Sequence, residues 1–253
     1  MTEKLLKLTM IISQQMVETG AEINRVEDSI NRIGAAYGAS RVDIFATTSN
    51  IIVSFEGEDG RVLTQTRRIR HTSTDIERLD RLNSLVRRMT EQKPSESEIE
   101  AELSDITEKT PTYSTPTVIF FYGIVAAAFS LLFDARTVEE FVISLLTGLI
   151  VGVAAKGMER LRVNKLLHRF LCSFLAAVCA YGAMRFGIIS DVDKVMIANI
   201  MTLITGIGLT NALRDLFTGD SISGVLKFIE SILLALAIAF GYILAAFLFG
   251  GAI

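Results

Sequence analysis

From Thr115 onward the sequence runs into apolar stretches long enough to cross a bilayer, and this limits the fold more than any other feature. A hydrocarbon core about 30 Å thick takes about 20 apolar residues of helix. Runs near 117–133, 138–155, 169–187, 193–212 and 225–249 qualify, which predicts about five transmembrane helices. Helices are the expected form because a segment in lipid must satisfy its own backbone N–H and C=O groups. Charge divides the chain at the same place. Residues 1–115 hold 34 of the 53 charged side chains, and residues 116–253 hold 19. The expected architecture is an all-α membrane domain, residues 116–253, preceded by a small α+β domain, residues 1–115.

Within that first domain, Leu5, Leu8, Ile12 and Met16 recur at helical spacing over 3–19, and Ile23, Val26, Ile30 and Ile33 do so over 21–37. Gly20 separates the two helices and Gly38 ends the second. Lys7, Ser13, Gln14 and Gln15 interrupt the first apolar stretch, and no small-x-small cleavage site follows, so it does not read as a signal peptide. The period then changes to that of strands at 41–48, 50–56 and 61–69, with a hairpin turn at 56–60 tipped by Asp59-Gly60. Helical spacing returns at 75–91, Pro94 stops it, and 95–109 forms a short acidic helix. The predicted order is α-α-β-β-β-α-α.

Basic loops stay on the cytoplasmic side of a membrane. The 156–169 loop carries Lys156, Arg160, Arg162, Lys165 and Arg169, whereas the 134–140 turn has only Arg136 beside three acids. The first domain and the loops at 156–169 and 211–224 are therefore expected in the cytoplasm, with the C-terminus outside. Residues 1–115 hold 15 basic against 19 acidic side chains, and the net charge is −3; no basic stripe for nucleic acid is present. Cys172 and Cys179, seven residues apart in one apolar run, read as small buried hydrophobes and not as a disulfide. His71 and His168 stand alone, so no metal set can be assembled. No P-loop, HExxH, nucleophile elbow or dinucleotide glycine pattern occurs. Neither a cofactor, nor an ATP-driven pump, nor an enzyme is expected. A membrane-anchored enzyme using Glu22 and Glu27 lacks a nucleophile, and a scaffold acting through 95–109 is the remaining rival.

The segment 199–231, NIMTLITGIGLTNALRDLFTGDSISGVLKFIES, concentrates polar groups where lipid-facing chain should have few. A helix continuing to Phe217 places Asn211, Arg214, Asp215 and Thr218 on one face. A lone charge at membrane depth costs about 2.5–3.5 kcal/mol on insertion scales, so Arg214 and Asp215 must pair, reach water or line a polar cavity. Thr205, Gly206, Gly208 and Gly219 leave room for broken helices, whose freed backbone groups build transporter sites. The plain alternative is a cytoplasmic loop whose charges anchor two helix ends, with Lys227 and Glu230 paired at i,i+3. Gly148 and Gly152 in GLIVG form a small-xxx-small packing motif. In TGAEINRVED at 19–28, Glu22 and Arg25 can pair on the helix surface while Glu27 and Asp28 favour its N-terminal end.

With these residues in view the chain resembles the N-terminal half of the threonine/serine exporter family. The similar segments are TGAEINRVEDSINRIGAAYG at 19–38, which includes Gly20, Glu22, Arg25 and Glu27, and GIGLTNALRDLFTGDSISGVLKFIES at 206–231. The likeness covers nearly the whole chain. It implies a cytoplasmic domain before a five-helix membrane unit, located in the plasma membrane. Because nothing follows residue 253, it also implies a separate smaller membrane subunit. Relatives of that split type are associated with export of dicarboxylates such as succinate. Three departures stand out: Thr205-Gly206 replaces a common Pro-Gly, the first membrane helix ends LLFDA and not Phe-Gly-Gly, and Lys227 stands where arginine is common. On this resemblance the chain is expected to export small amino acids or dicarboxylates, driven by the proton motive force. Arg214 then takes a substrate carboxylate through two hydrogen bonds. Asp215, Asp220 and Glu230 couple protons or hold Arg214; Thr210, Asn211 and Ser223 supply neutral hydrogen bonds; Gly219 and Lys227 complete the pathway motif. Oligomeric state stays open, although a pore with five helices per chain calls for more chains.

Overall fold

The computed structural model describes residues 2–133, 137–204 and 206–250. Asp134 and Arg136 of the outer turn, and Thr205 of the expected helix break, lie outside the described residues. The chain forms two compact units. The first comprises the residues up to Thr112 together with Thr210–Phe228; the second comprises Tyr113–Leu209 and the residues from Ile229 onward.

In the first unit, α1 (Glu3–Glu18) and α2 (Ile23–Ala36) precede an antiparallel sheet of β1 (Ala39–Ala46), β2 (Asn50–Gly57) and β3 (Val62–Arg68), with β2 in the middle. Helices α3 (Ile76–Gln92) and α4 (Glu96–Lys109) follow. Local chemistry sets the helix starts. Thr2 accepts from the Leu5 amide, Asp75 from the Arg78 amide, and the Ser95 amide donates to Glu98 in a capping box. Strand β2 alternates as its sequence does, burying Ile51, Val53 and Phe55 completely. These meet Met10, Ile12 and Met16 of α1, Ile30 and Ile33 of α2, Leu82 and Met89 of α3 and Ile99 of α4 in one core. Each such side chain removed from water contributes about 1.5–3 kcal/mol, so this unit is held as a soluble domain is held.

The second unit contains α5 (Thr115–Leu132), α6 (Val138–Arg160), α7 (Lys165–Arg185) and α8 (Val192–Met201). Helix α9 (Gly206–Phe217) and helix α10 (Ser221–Ala245) each cross the boundary between the units, and α10 ends in a π-helical turn, Ala246–Gly250. The burial pattern here is inverted. Ala126, Ala155, Cys172, Ala176, Ala177 and Ala180 are buried, while Phe120, Phe121, Leu146, Ile150, Phe240 and Ile243 are exposed. Lipid tails are as apolar as leucine, so small residues that let backbones approach hold such bundles. GLIVG acts in that way: a Cβ on Gly148 would lie 2.7 Å from the Tyr122 carbonyl oxygen of α5. Both cysteines are free, and Cys172 belongs to the packed core.

Among the described residues, four helices are long and apolar enough to cross a membrane: Thr115–Leu132, Val138–Arg160, Lys165–Arg185 and Ser221–Phe249. Helices α8 and α9 make a fifth span if counted as one, interrupted between Met201 and Gly206. The expected fourth run thus contains a break without a proline.

Candidate functional site

The turn between α9 and α10 follows from its sequence. The Asp220 amide donates to the Asp215 carbonyl at 2.9 Å and the Gly219 amide to the Leu216 carbonyl at 3.3 Å. These are the two bonds of a Schellman ending, which needs a left-handed residue after the helix. Gly219 supplies it with φ +97°. Asp220 then begins α10, its Oδ1 accepting from the Ser223 amide at 3.3 Å. Gly224 lies where the helices touch, since a Cβ there would stand 2.8 Å from the Leu216 backbone nitrogen.

This hairpin buries Asp215 completely. Lys227 Nζ donates to Asp215 Oδ2 at 2.7 Å. The other oxygen of Asp215, the Oδ2 of Asp220 and the Ser223 hydroxyl are buried without a hydrogen-bond partner among the described residues. The hairpin thus leaves three buried oxygen atoms without a hydrogen-bond partner among the described residues.

Asn211 and Arg214, one turn apart on α9, address a different target. Asn211 Nδ2 donates to the Gly20 carbonyl at 3.2 Å, and Arg214 Nη1 donates to Glu22 Oε1 at 2.7 Å. Both acceptors belong to the short connection between α1 and α2. Glu22 starts α2 but makes no side-chain capping bond; its carboxylate turns to the guanidinium. The same connection is tied down from α3's side, where the Ser73 amide donates to the Glu18 carbonyl at 2.8 Å and the Asp75 amide to that of Thr19 at 3.1 Å. The Arg214 side chain remains 64% exposed and that of Glu22 19%. A pair this accessible contributes little to stability, and the arginine's remaining donors stay open to solvent.

Glu27, farther along α2, accepts from the Ala46 amide at 3.1 Å. Burial is the main reason its carboxyl titrates above the ordinary range, the Ala46 bond opposes this, and the charge of Asp220 pushes the same way as burial. The two sequence motifs thus meet in one unit through Gly20, Glu22 and Glu27 on one side and Asn211, Arg214 and Asp220 on the other.

Other expected residues fall elsewhere. Arg25 is exposed, and Glu22 pairs with Arg214 instead of it. Glu230 pairs with Lys165 at 3.2 Å in the second unit, with both side chains more than half exposed. Thr210 is exposed, and Gly206 and Gly208 occupy the first turn of α9. Among the described residues no three His, Cys, Asp or Glu side chains could hold a metal ion. Sequence reasoning passed over Glu140, Ser144 and Asn199, which the second unit buries; the signal available was a polar residue inside an apolar run.

A family model described as "Putative threonine/serine exporter" (ThrE) matches residues 7–249. The chain belongs to this family. It is a family of membrane transporters, not enzymes, and the chain is a multi-pass member of it. A protein of Klebsiella aerogenes named "Probable succinate transporter subunit YjjP" is 24% identical over 244 residues, covering 93% of this chain and 90% of that one. A "Probable threonine/serine exporter" of Mycobacterium tuberculosis is 23% identical over 248 residues, covering 96% of this chain but only 46% of the relative. No solved structure matches.

Proposed function

We propose that this ThrE-family chain is one subunit of a secondary exporter in the plasma membrane, moving small carboxylate-bearing solutes outward. Threonine, serine and succinate are the candidates, named from its relatives. The observation that carries the proposal is an accessible guanidinium, Arg214, already holding one carboxylate, Glu22, at 2.7 Å. Guanidinium donors match carboxylates in charge and shape, and every candidate solute bears a carboxylate that could replace Glu22. Asp215 and Asp220 are the groups for proton coupling, with Lys227 paired to Asp215 at 2.7 Å. Asn211, Thr210 and Ser223 supply neutral hydrogen bonds.

A separate smaller membrane subunit completes the path; the word subunit in a relative's name supports this. Residues 1–115 and the basic loop after α6 lie in the cytoplasm, the membrane domain is 116–253, and the C-terminus lies outside.

Efflux of labelled threonine, serine and succinate from vesicles, with and without that partner, tests the proposal. Arg214→Ala should abolish export while leaving membrane insertion intact. Normal flux by that variant would remove the arginine from the mechanism.

A further inference from the structure

The second unit buries several polar side chains, and some have internal partners. Ser130 Oγ donates to the Ala127 carbonyl at 2.8 Å and Ser173 Oγ to that of Ile238 at 2.7 Å. Ser144 and Asn199 differ. Both are 0% exposed, yet the Ser144 hydroxyl and the Asn199 side-chain oxygen have no hydrogen-bond partner among the described residues. The two residues are adjacent across α6 and α8, because Asn199 Nδ2 reaches the Ser144 carbonyl at 3.4 Å as well as that of Val195 at 2.8 Å. The amide nitrogen is occupied and the oxygen is left over.

Their surroundings are polar along one line. Glu140 lies one turn before Ser144 on α6 and Thr147 one turn after it, and both are buried. Lys194 of α8 stands 3.8 Å from Glu140 and 3.6 Å from Asp191. Thr202 Oγ1 donates to the Asn199 carbonyl at the point where α8 stops. A simple packed seam between two helices has no use for unmatched oxygens, since an unsatisfied polar group in a bilayer is costly. Polar residues buried in this way mark routes for polar solutes.

We propose that Ser144 and Asn199 form a binding step within the membrane unit that takes a hydrogen-bond donor, an ammonium or a hydroxyl, of a small polar solute. The chemistry follows from the free atoms. An amide oxygen only accepts and a hydroxyl oxygen can accept, while the Glu140 carboxylate one turn away is paired with Lys194. An incoming carboxylate meets a single uncommitted donor, the Ser144 hydroxyl. The step uses none of the residues around Arg214, and among the candidate solutes it suits threonine and serine, which carry both an ammonium and a hydroxyl, and not succinate, which carries neither.

The test uses the full chain in membrane vesicles with Cys172→Ala and Cys179→Ala, which clears the native thiols. Ser144→Cys is compared with Ser130→Cys, an equally buried hydroxyl whose bond is internal. Methanethiosulfonates bearing an ammonium, a hydroxyl or a sulfonate are the probes. A thiol sealed in apolar surroundings loses about tenfold in thiolate for each unit by which burial raises its pKa. Ser144→Cys should therefore react at least about tenfold faster than Ser130→Cys with the ammonium or the hydroxyl reagent, and faster with these than with the sulfonate. The faster of the two identifies the preferred donor. Labelling no faster than at Ser130→Cys, or equal labelling by sulfonate and ammonium, overturns the proposal. As a second measurement, Ser144→Ala should lower flux several-fold wherever the unmodified chain shows flux; unchanged flux in that variant counts against the step. Absence of flux in the unmodified chain together with its partner subunit would count against the exporter function instead, and the labelling result would still decide the step.

Discussion

Replace Lys227 by Met, and the carboxylate of Asp215 loses its ion-pair partner with no route to water. The Asp215 side chain is 1% exposed and that of Lys227 19%, and they meet at 2.7 Å. Two unit charges about 4 Å apart attract by about 4 kcal/mol at an effective dielectric constant of about 20. Removing one partner of a buried pair costs about 3–5 kcal/mol, because the remaining charge stays desolvated. Asp215 has little to fall back on, since its other oxygen is already unmatched. Methionine keeps most of the lysine stem's packing, so the loss is electrostatic. At about 2–4 °C per kcal/mol for a chain of this size, Lys227→Met should melt roughly 6–20 °C lower. Asp215→Asn should cost only about 1–2 kcal/mol, because the partly exposed lysine can turn toward solvent and the amide still offers an oxygen. The double variant removes both charges and should return to within about 1 kcal/mol of Asp215→Asn alone, a coupling beyond any additive sum. The chain has no tryptophan, so helical circular dichroism of the detergent-solubilised protein is the readout. Equal losses for the two single variants, adding in the double, would refute the pairing as the source of stability.

Glu22→Gln should leave melting within about 1 kcal/mol of the unmodified chain, as for an exposed pair, yet lower the KM for export several-fold by freeing Arg214; an unchanged KM in vesicle flux would show that Glu22 does not compete with solute. Glu27→Gln keeps an oxygen for the Ala46 amide. Because burial raises the Glu27 carboxyl pKa in the folded chain, folding favours its protonated form, and this contribution is full below the unfolded pKa and lost as pH rises through the folded value. The variant should therefore match the unmodified chain at low pH and melt higher than it above the ordinary carboxylate range; a pH-independent difference in melting would contradict that cause. Gly224→Ala places a methyl against the Leu216 backbone nitrogen, which cannot move aside without shifting α9, and should cost about 1–3 kcal/mol. Gly206→Ala, where nothing lies within 4 Å, serves as the control and should be neutral or slightly stabilising in the same melting assay.

Much of the fold was legible because the physics is local. Apolar run length marks the membrane helices, alternation marks β1 and β3, β-branched and aromatic residues mark β2, and Asp59-Gly60 marks the hairpin. The turn that builds the site was legible only in part: Gly219 was expected at a helix break, but Asp220 was expected to couple protons and not to cap a helix starting at Ser221. Its partners were not. Spacing along one helix offered Arg25 to Glu22, yet the guanidinium that binds Glu22 belongs to Arg214, 192 residues away. Periodicity identifies which side chains share a helix face but carries no information about which distant element will cover that face. The same limit hid Ser144 and Asn199: each is unremarked alone, and only their adjacency across two helices turns two tolerable polar residues into two unmatched oxygens. Each unit encloses a carboxylate with a lysine on a neighbouring helix, Asp215 with Lys227 in the first and Glu140 with Lys194 in the second. Among the buried hydroxyls and amides of the second unit, Ser130 and Ser173 bond internally while the Ser144 hydroxyl and the Asn199 oxygen do not among the described residues. Because an unsatisfied polar group in a bilayer is costly, Ser144 and Asn199 are the place in the membrane unit where function, and not stability, best accounts for the residue.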